Sequence, residues 1–145
     1  MEMQELGFNY RLTDFQAALG LSQLKNADNR LALRVNIAKR YDEAFKNIGS
    51  IKLAGEFFGH VYHLYVIQVK DRLGLYNYLR ENGIFAQVHY IPVHLMPYYK
   101  QFGWKQGDMP HAEDYYQHCL SLPMYPTLTV EEQNYVIEKI LAFVN

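Results

Sequence analysis

Helical patterning that begins at residue 13 and runs to residue 47 places the strongest constraint on what this chain can fold into. Thr13-Asp14-Phe15-Gln16 is a capping box, in which the Thr side chain and the Gln side chain each satisfy an orphan backbone N–H of the other's residue. Behind it Phe15, Ala18, Leu19 and Leu24 recur at helical spacing, and Val35, Ala38, Tyr41 and Phe45 continue the stripe. Asn26-Ala27-Asp28-Asn29 gathers poor helix formers, so a bend or break is expected there, and Gly49-Ser50 ends the pattern. An arm of this length at the head of a chain serves more naturally as a connector from an upstream body than as the opening of a self-contained fold. The expected organisation over 1–145 is therefore a helical connector at 1–48 and an α+β layer at 49–145.

The later pattern changes period. Val61 to Val69 is dense in β-branched and aromatic residues and predicts a strand. Asp71 opens a helix with Leu75, Tyr78 and Leu79 on one face, and Asn82-Gly83 closes it. Ile84 to Tyr90 predicts a second strand, with Ile84, Ala86, Val88 and Tyr90 on one face and Phe85, Gln87 and His89 on the other. Five prolines punctuate the chain from Pro92 to Pro126, and among them Ala112 to Cys119 predicts a short helix and Leu120-Ser121-Leu122 a short strand. Thr129-Val130-Glu131-Glu132 is a second capping box, and behind it Ile137, Ile140, Leu141 and Val144 form an amphipathic stripe. The predicted class is α+β: a long N-terminal helix, then a short, mainly antiparallel sheet covered by helices.

Charge and composition exclude several functions. Lys+Arg is 14 against Asp+Glu 15, which lacks the basic footprint that affinity for a phosphate backbone requires, so no nucleic-acid partner is expected. Charges interrupt every apolar stretch well short of a membrane span, so no membrane partner is expected. Glu2 and Glu5 precede any apolar run, unlike a secretory signal, and the single Cys119 suits a reducing cytoplasm. His60, His63, His89, His94, His111 and His118 fall in no metal-ligand spacing, so no metal is expected. Cys119 reads as a buried structural thiol, since His118 beside it on a helix points elsewhere. Aromatic residues make up 15%, with 13 Tyr, a composition that suits polar ligand pockets and interfaces as well as cores.

Two segments are candidates for binding. In Gly7-Phe8-Asn9-Tyr10-Arg11-Leu12-Thr13-Asp14 an amide, a phenol and a guanidinium stand just before a helix N-terminus, where unpaired N–H groups and the positive dipole end favour an anion such as phosphate. The same residues would equally serve to tie a loop to its helix. In Gln87 to Tyr99, a strand delivers Gln87 and His89 to one face, and a proline-stiffened turn supplies Tyr90, His94, Tyr98 and Tyr99. Imidazoles and phenols so concentrated suit a sugar or nucleotide, by stacking and hydrogen bonding, and suit an aromatic core turn as well.

These segments also carry a resemblance. GFNYRLTDFQAALGLSQL, QVHYIPVHLMPYY and PHAEDYYQHCLSLPMYPTLTVEEQNYVIEKI resemble, in order, three motifs of the DegT/DnrJ/EryC1/StrS sugar aminotransferases. The wording GIFAQVHYIPVH and LGLSQL is most similar to the subgroup that makes the amino-sugar precursor of pseudaminic acid. The resemblance implies the C-terminal small domain of a fold type I transferase dependent on pyridoxal 5′-phosphate. It further implies a homodimer with active sites between subunits, and amino transfer from glutamate to a keto nucleotide sugar, UDP-linked by the subgroup. Asn9 matches the asparagine that reaches the cofactor phosphate. Arg11, His89, Tyr90, His94 and Tyr98 match positions of the substrate-contacting motifs. The family's Schiff-base lysine belongs to a motif upstream of G-x-N-x-R, and no lysine here sits in such a motif. The resemblance thus leaves no catalytic residue in this chain, makes it a fragment inactive alone, and predicts a larger native product. A stand-alone nucleotide-sugar-binding module and a structural dimerisation domain remain the alternatives.

Overall fold

A computed structural model describes residues 10–55 and 59–144. The helical arm is two helices, α1 (Asp14–Leu24) and α2 (Ala27–Phe45), separated at Lys25 and Asn26, where poor helix formers begin. Thr13 and Gln16 form the reciprocal cap of α1. The two halves behave differently. No residue of α1 is buried, whereas Ile37, Ala38, Tyr41 and Phe45 of α2 enter the core.

Strand β1 (Ile51–Leu53) comes directly after, an element too short for the sequence pattern to announce. It pairs antiparallel with β2 (Tyr65–Val69), which pairs antiparallel with β3 (Cys119–Leu122), giving the order β1-β2-β3. Between β2 and β3 lie α3 (Arg72–Glu81), a 3-10 turn (Val93–Leu95), α4 (Pro97–Lys100) and α5 (Pro110–His118). Helix α6 (Val130–Val144) ends the described chain, capped by reciprocal Thr129–Glu132 hydrogen bonds.

Tyr65, Ile67 and Val69 alternate inward along β2, and with Leu120 and Leu122 of β3 they pack against Phe45, Leu75, Leu79, Val136 and Ile140. Polar groups in this core are paired. The Tyr41 hydroxyl donates to the Pro123 carbonyl (3.1 Å), the Tyr65 hydroxyl to Asp42 Oδ1 (2.6 Å), and Gln133 Nε2 to the Ile37 carbonyl (2.8 Å), binding α6 to α2. Burial, first, and then the neighbouring Asp42 carboxylate hold the Tyr65 phenol well above its ordinary value.

Two expected strands are shorter or absent. Only Tyr65–Val69 of the 61–69 segment is strand. Upstream of it the Tyr62 N–H donates to the His60 ring, Tyr62 takes φ 47°, and Arg34 Nη1 donates to the carbonyls of Tyr62, His63 and Met124. These local bonds occupy groups that a strand would use in a ladder. The 84–90 segment forms no strand either, only an isolated bridge between Gln87 and Ser121. The Ile84 N–H is drawn back to the Leu79 carbonyl (2.8 Å) by the end of α3, and Pro92 has no N–H to offer. Its alternation is nonetheless retained at Ile84, Ala86 and Val88, which turn inward, but Tyr90 is 65% exposed.

Candidate functional site

The bridge at Gln87 positions one candidate group. Opposed residues of an antiparallel pair share a sheet face, so Ser121, opposite Val66, projects away from the layer that holds Ile67 and Leu120. Ser121 is buried, and its Oγ is hydrogen-bonded to Nδ1 of His89 at 2.8 Å. That bond fixes the imidazole plane and ties up one ring nitrogen, leaving Nε2 as the ring's remaining polar edge. Tyr90 packs edge-on against the His89 ring at 4.7 Å between centroids, with its own ring turned to solvent. In the Ser121→Ala variant the ring loses the bond that orients it. Imidazole nitrogen shifts of His89 should change; unchanged shifts would show that Ser121 does not orient the ring.

The turn after Pro92 carries the rest. His94 is 9% exposed, and its Nε2 lies 2.8 Å from Oε1 of Glu113 on α5. It is therefore the most enclosed of the described candidates, and this nitrogen faces a carboxylate inside the fold. The bond from His94, foremost, and those from the N–H groups of Gly107 and Met109 hold the Glu113 carboxyl below its ordinary value of 4.5. The resulting stabilisation is complete above the ordinary value and is lost as pH falls through the lower folded one. Tyr98 is 65% exposed on α4 and meets Tyr99 and Phe102 edge-on, at 5.2 and 5.7 Å between centroids.

Asn9 lies outside the described residues, as do Gly7 and Phe8 of the same motif. Arg11 is exposed and stands three residues before the start of α1, an element with no buried residue, whereas the segment from His89 to Tyr98 is tied to β3 and α5 through His89 and His94. The chain thus presents two groups on separate supports. A groove of about 350 Å³ lined by Asp42, His60, His63 and Tyr115 includes none of them, and Tyr90 and Tyr98 are exposed while His89 is half-buried. Burial raises the Cys119 thiol above its ordinary value, which disfavours the nucleophilic thiolate. Among the described residues no cluster of three or more His, Cys, Asp or Glu can hold a metal, and no helix is long and apolar enough to cross a membrane.

The sequence patterns did not single out Ser121 or Glu113 as partners. Their signal was present in Leu120-Ser121-Leu122-Pro123 and Pro110-His111-Ala112-Glu113, but each reaches its histidine across 32 and 19 residues respectively.

Comparison with known proteins gives these positions a context. A model of the DegT/DnrJ/EryC1/StrS aminotransferase family matches residues 1–141. The spore coat polysaccharide biosynthesis protein SpsC of Bacillus subtilis is 40% identical over 96% of this chain and 38% of its own length. A UDP-4-amino-4,6-dideoxy-N-acetyl-beta-L-altrosamine transaminase of Campylobacter jejuni is 32% identical over 93% of this chain and 38% of its own. The crystal structure of NtdA from Bacillus subtilis with bound cofactor PMP superposes with a TM-score of 0.87, at 30% identity, covering 99% of this chain and 35% of that one. The chain spans about 38% of the length of these curated relatives.

Proposed function

The chain belongs to the DegT/DnrJ/EryC1/StrS aminotransferase family, and from that membership we propose that it is the nucleotide-sugar-binding small domain of a cytoplasmic transaminase. The whole protein moves an amino group from glutamate to a keto sugar carried on UDP, in the biosynthesis of amino sugars or surface polysaccharide. The family match over residues 1–141 carries this reading, and the UDP-sugar transaminase among the relatives supports the nucleotide.

The cofactor is pyridoxal 5′-phosphate, whose aminated form, PMP, is bound in NtdA. The start of α1 is compatible with its phosphate: Thr13 caps the Gln16 N–H, and the Asp14 and Phe15 N–H groups stand at the positive dipole end without intrahelical acceptors, beside the Asp14 carboxylate. Asn9 would hold the cofactor phosphate and Arg11 the nucleotide sugar. When bound there, the group would supply the amino-carrying chemistry that links glutamate to the keto carbon.

The described side chains bind and orient. His89, fixed through Nδ1 by Ser121, offers its other ring edge to a sugar or phosphate oxygen. Tyr90 and Tyr98 supply stacking faces and hydroxyls to the nucleotide and sugar, and His94 holds the turn that carries them. Phe15, Leu19, Leu21 and Leu24 of α1 are 58 to 83% exposed, an apolar surface suited to cover by the remainder of a homodimer.

The test is spectroscopic. The full-length protein with pyridoxal phosphate should change its cofactor absorbance when glutamate is added, and change it back on addition of a UDP-linked keto sugar. A protein whose cofactor spectrum responds to neither refutes the assignment.

A further inference from the structure

One buried carboxylate closes the base of the loop that displays Tyr98. Glu113 is 8% exposed. Its Oε1 accepts from the Gly107 N–H at 2.8 Å and the Met109 N–H at 3.3 Å, and lies 2.8 Å from His94 Nε2; its Oε2 also accepts from Gly107, at 3.0 Å. An ionised carboxylate only accepts, so the His94 proton sits on Nε2. His94 stands where the chain enters the 95–106 excursion, and Gly107 and Met109 stand where it leaves. Both ends are therefore fastened to a single side chain on α5. Between them the loop is held by its own short bonds: Tyr99 and Lys100 N–H to the Met96 carbonyl, and Lys105 N–H to Asp108 Oδ2. Its outer face carries the Tyr98–Tyr99–Phe102 cluster.

We infer that Glu113 is a positioning residue for the nucleotide-sugar site: through His94 and the 107–109 turn it sets where Tyr98 stands, without touching substrate itself. This rests on the reading of Tyr98 as a substrate contact. Removing the carboxylate takes the shared acceptor from one imidazole N–H and from the N–H groups of Gly107 and Met109, and whether water or a shifted loop then satisfies them, the two ends are no longer fastened to one side chain.

The experiment compares Glu113→Ala and Glu113→Gln with the unaltered full-length protein. Three readouts are taken: hydrogen exchange of peptides across 95–109, the KM for a UDP-linked keto sugar, and the rate of the glutamate half-reaction. Glu113→Ala should speed exchange in 95–109 while peptides of β2 and α6 keep their protection. It should raise the sugar KM about tenfold and leave the glutamate half-reaction within about twofold. Glu113→Gln keeps an acceptor oxygen and should recover most of both losses. If the alanine protein fails to fold, Glu113→Asp, whose carboxylate is one methylene too short for the bonds described, takes its place: a sugar KM raised in step with loop exchange supports the role, and either one rising alone refutes it. Unchanged exchange refutes the fastening. Faster exchange with an unchanged sugar KM refutes the positioning role, as does equal loss in both half-reactions. If the unaltered protein shows no glutamate half-reaction, the functional reading fails, and the exchange data still decide whether Glu113 fastens the loop.

Discussion

Arg11→Ala in the full-length protein is expected to raise the KM for a UDP-linked keto sugar by about 10- to 100-fold while the glutamate half-reaction proceeds at nearly its normal rate. A hydrogen bond between a guanidinium and a phosphate or sugar oxygen is charge-assisted, and its loss leaves the ligand's charge uncompensated in the site. Glutamate has no nucleotide, so its reaction with the cofactor should not register the change. Arg11→Lys keeps the charge but not the planar fork, and recovers only part of the loss. Arg11 lies outside the core of this chain, and peptides of β2 and α6 in the variant should keep their hydrogen-exchange protection. An unchanged KM in Arg11→Ala would remove this residue from the site.

The largest stability effect is expected at Phe45→Ala, a loss of about 3–5 kcal/mol. Phe45 is fully buried, stacks on Tyr41 at 5.9 Å with 10° between the rings, and belongs to the core shared by α2, the sheet, α3 and α6. Tyr41 in turn packs on Tyr65 at 4.8 Å, so a cavity at Phe45 loosens the inner face of β2 as well. Close packing prevents the neighbours from filling the space, and the lost contacts add to the lost transfer energy. Native-state hydrogen exchange at Ile67 and Val69 should report the loss. Leu73→Ala is the control: Leu73 is 61% exposed on α3, and its truncation should stay within about 0.5 kcal/mol. Equal effects at the two positions would contradict the core as described.

Much of the fold was legible because its punctuation is local. The Thr13–Gln16 and Thr129–Glu132 boxes involve residues three apart, Asp71 caps the helix beside it, and Gly83 takes φ 75° just past the helix it ends. The strands were less legible because β-propensity describes a side chain's fit to a sheet and not whether a partner exists. Val61 to Leu64 has strand composition, yet Arg34, 28 residues away from Tyr62, takes its carbonyl. Ile84 to Val88 keeps its alternation with one bridge in place of a ladder. Strand β1 went unseen since three residues after Gly49-Ser50 carry too little pattern.

The candidate site divides the same way. His89, Tyr90, His94 and Tyr98 are close in sequence and carry their chemistry openly. What the sequence concealed is the support beneath them, because Ser121 and Glu113 come from later elements that only the folded chain brings to the two imidazoles. A carboxylate in the first turn of α5 reads from sequence as an ordinary dipole-favoured residue. Its closing of a loop is a tertiary fact.

The proposed role, the nucleotide-sugar side of an aminotransferase site, is tested by supplying the full-length protein with pyridoxal phosphate, glutamate labelled at its amino nitrogen, and a UDP-linked keto sugar, and then measuring the masses of the nucleotide sugars. A UDP-amino sugar carrying the label should form with the unaltered protein and be strongly reduced in Arg11→Ala at limiting sugar. Label that leaves glutamate without ever reaching a nucleotide sugar, whichever nucleotide is offered, would contradict that role.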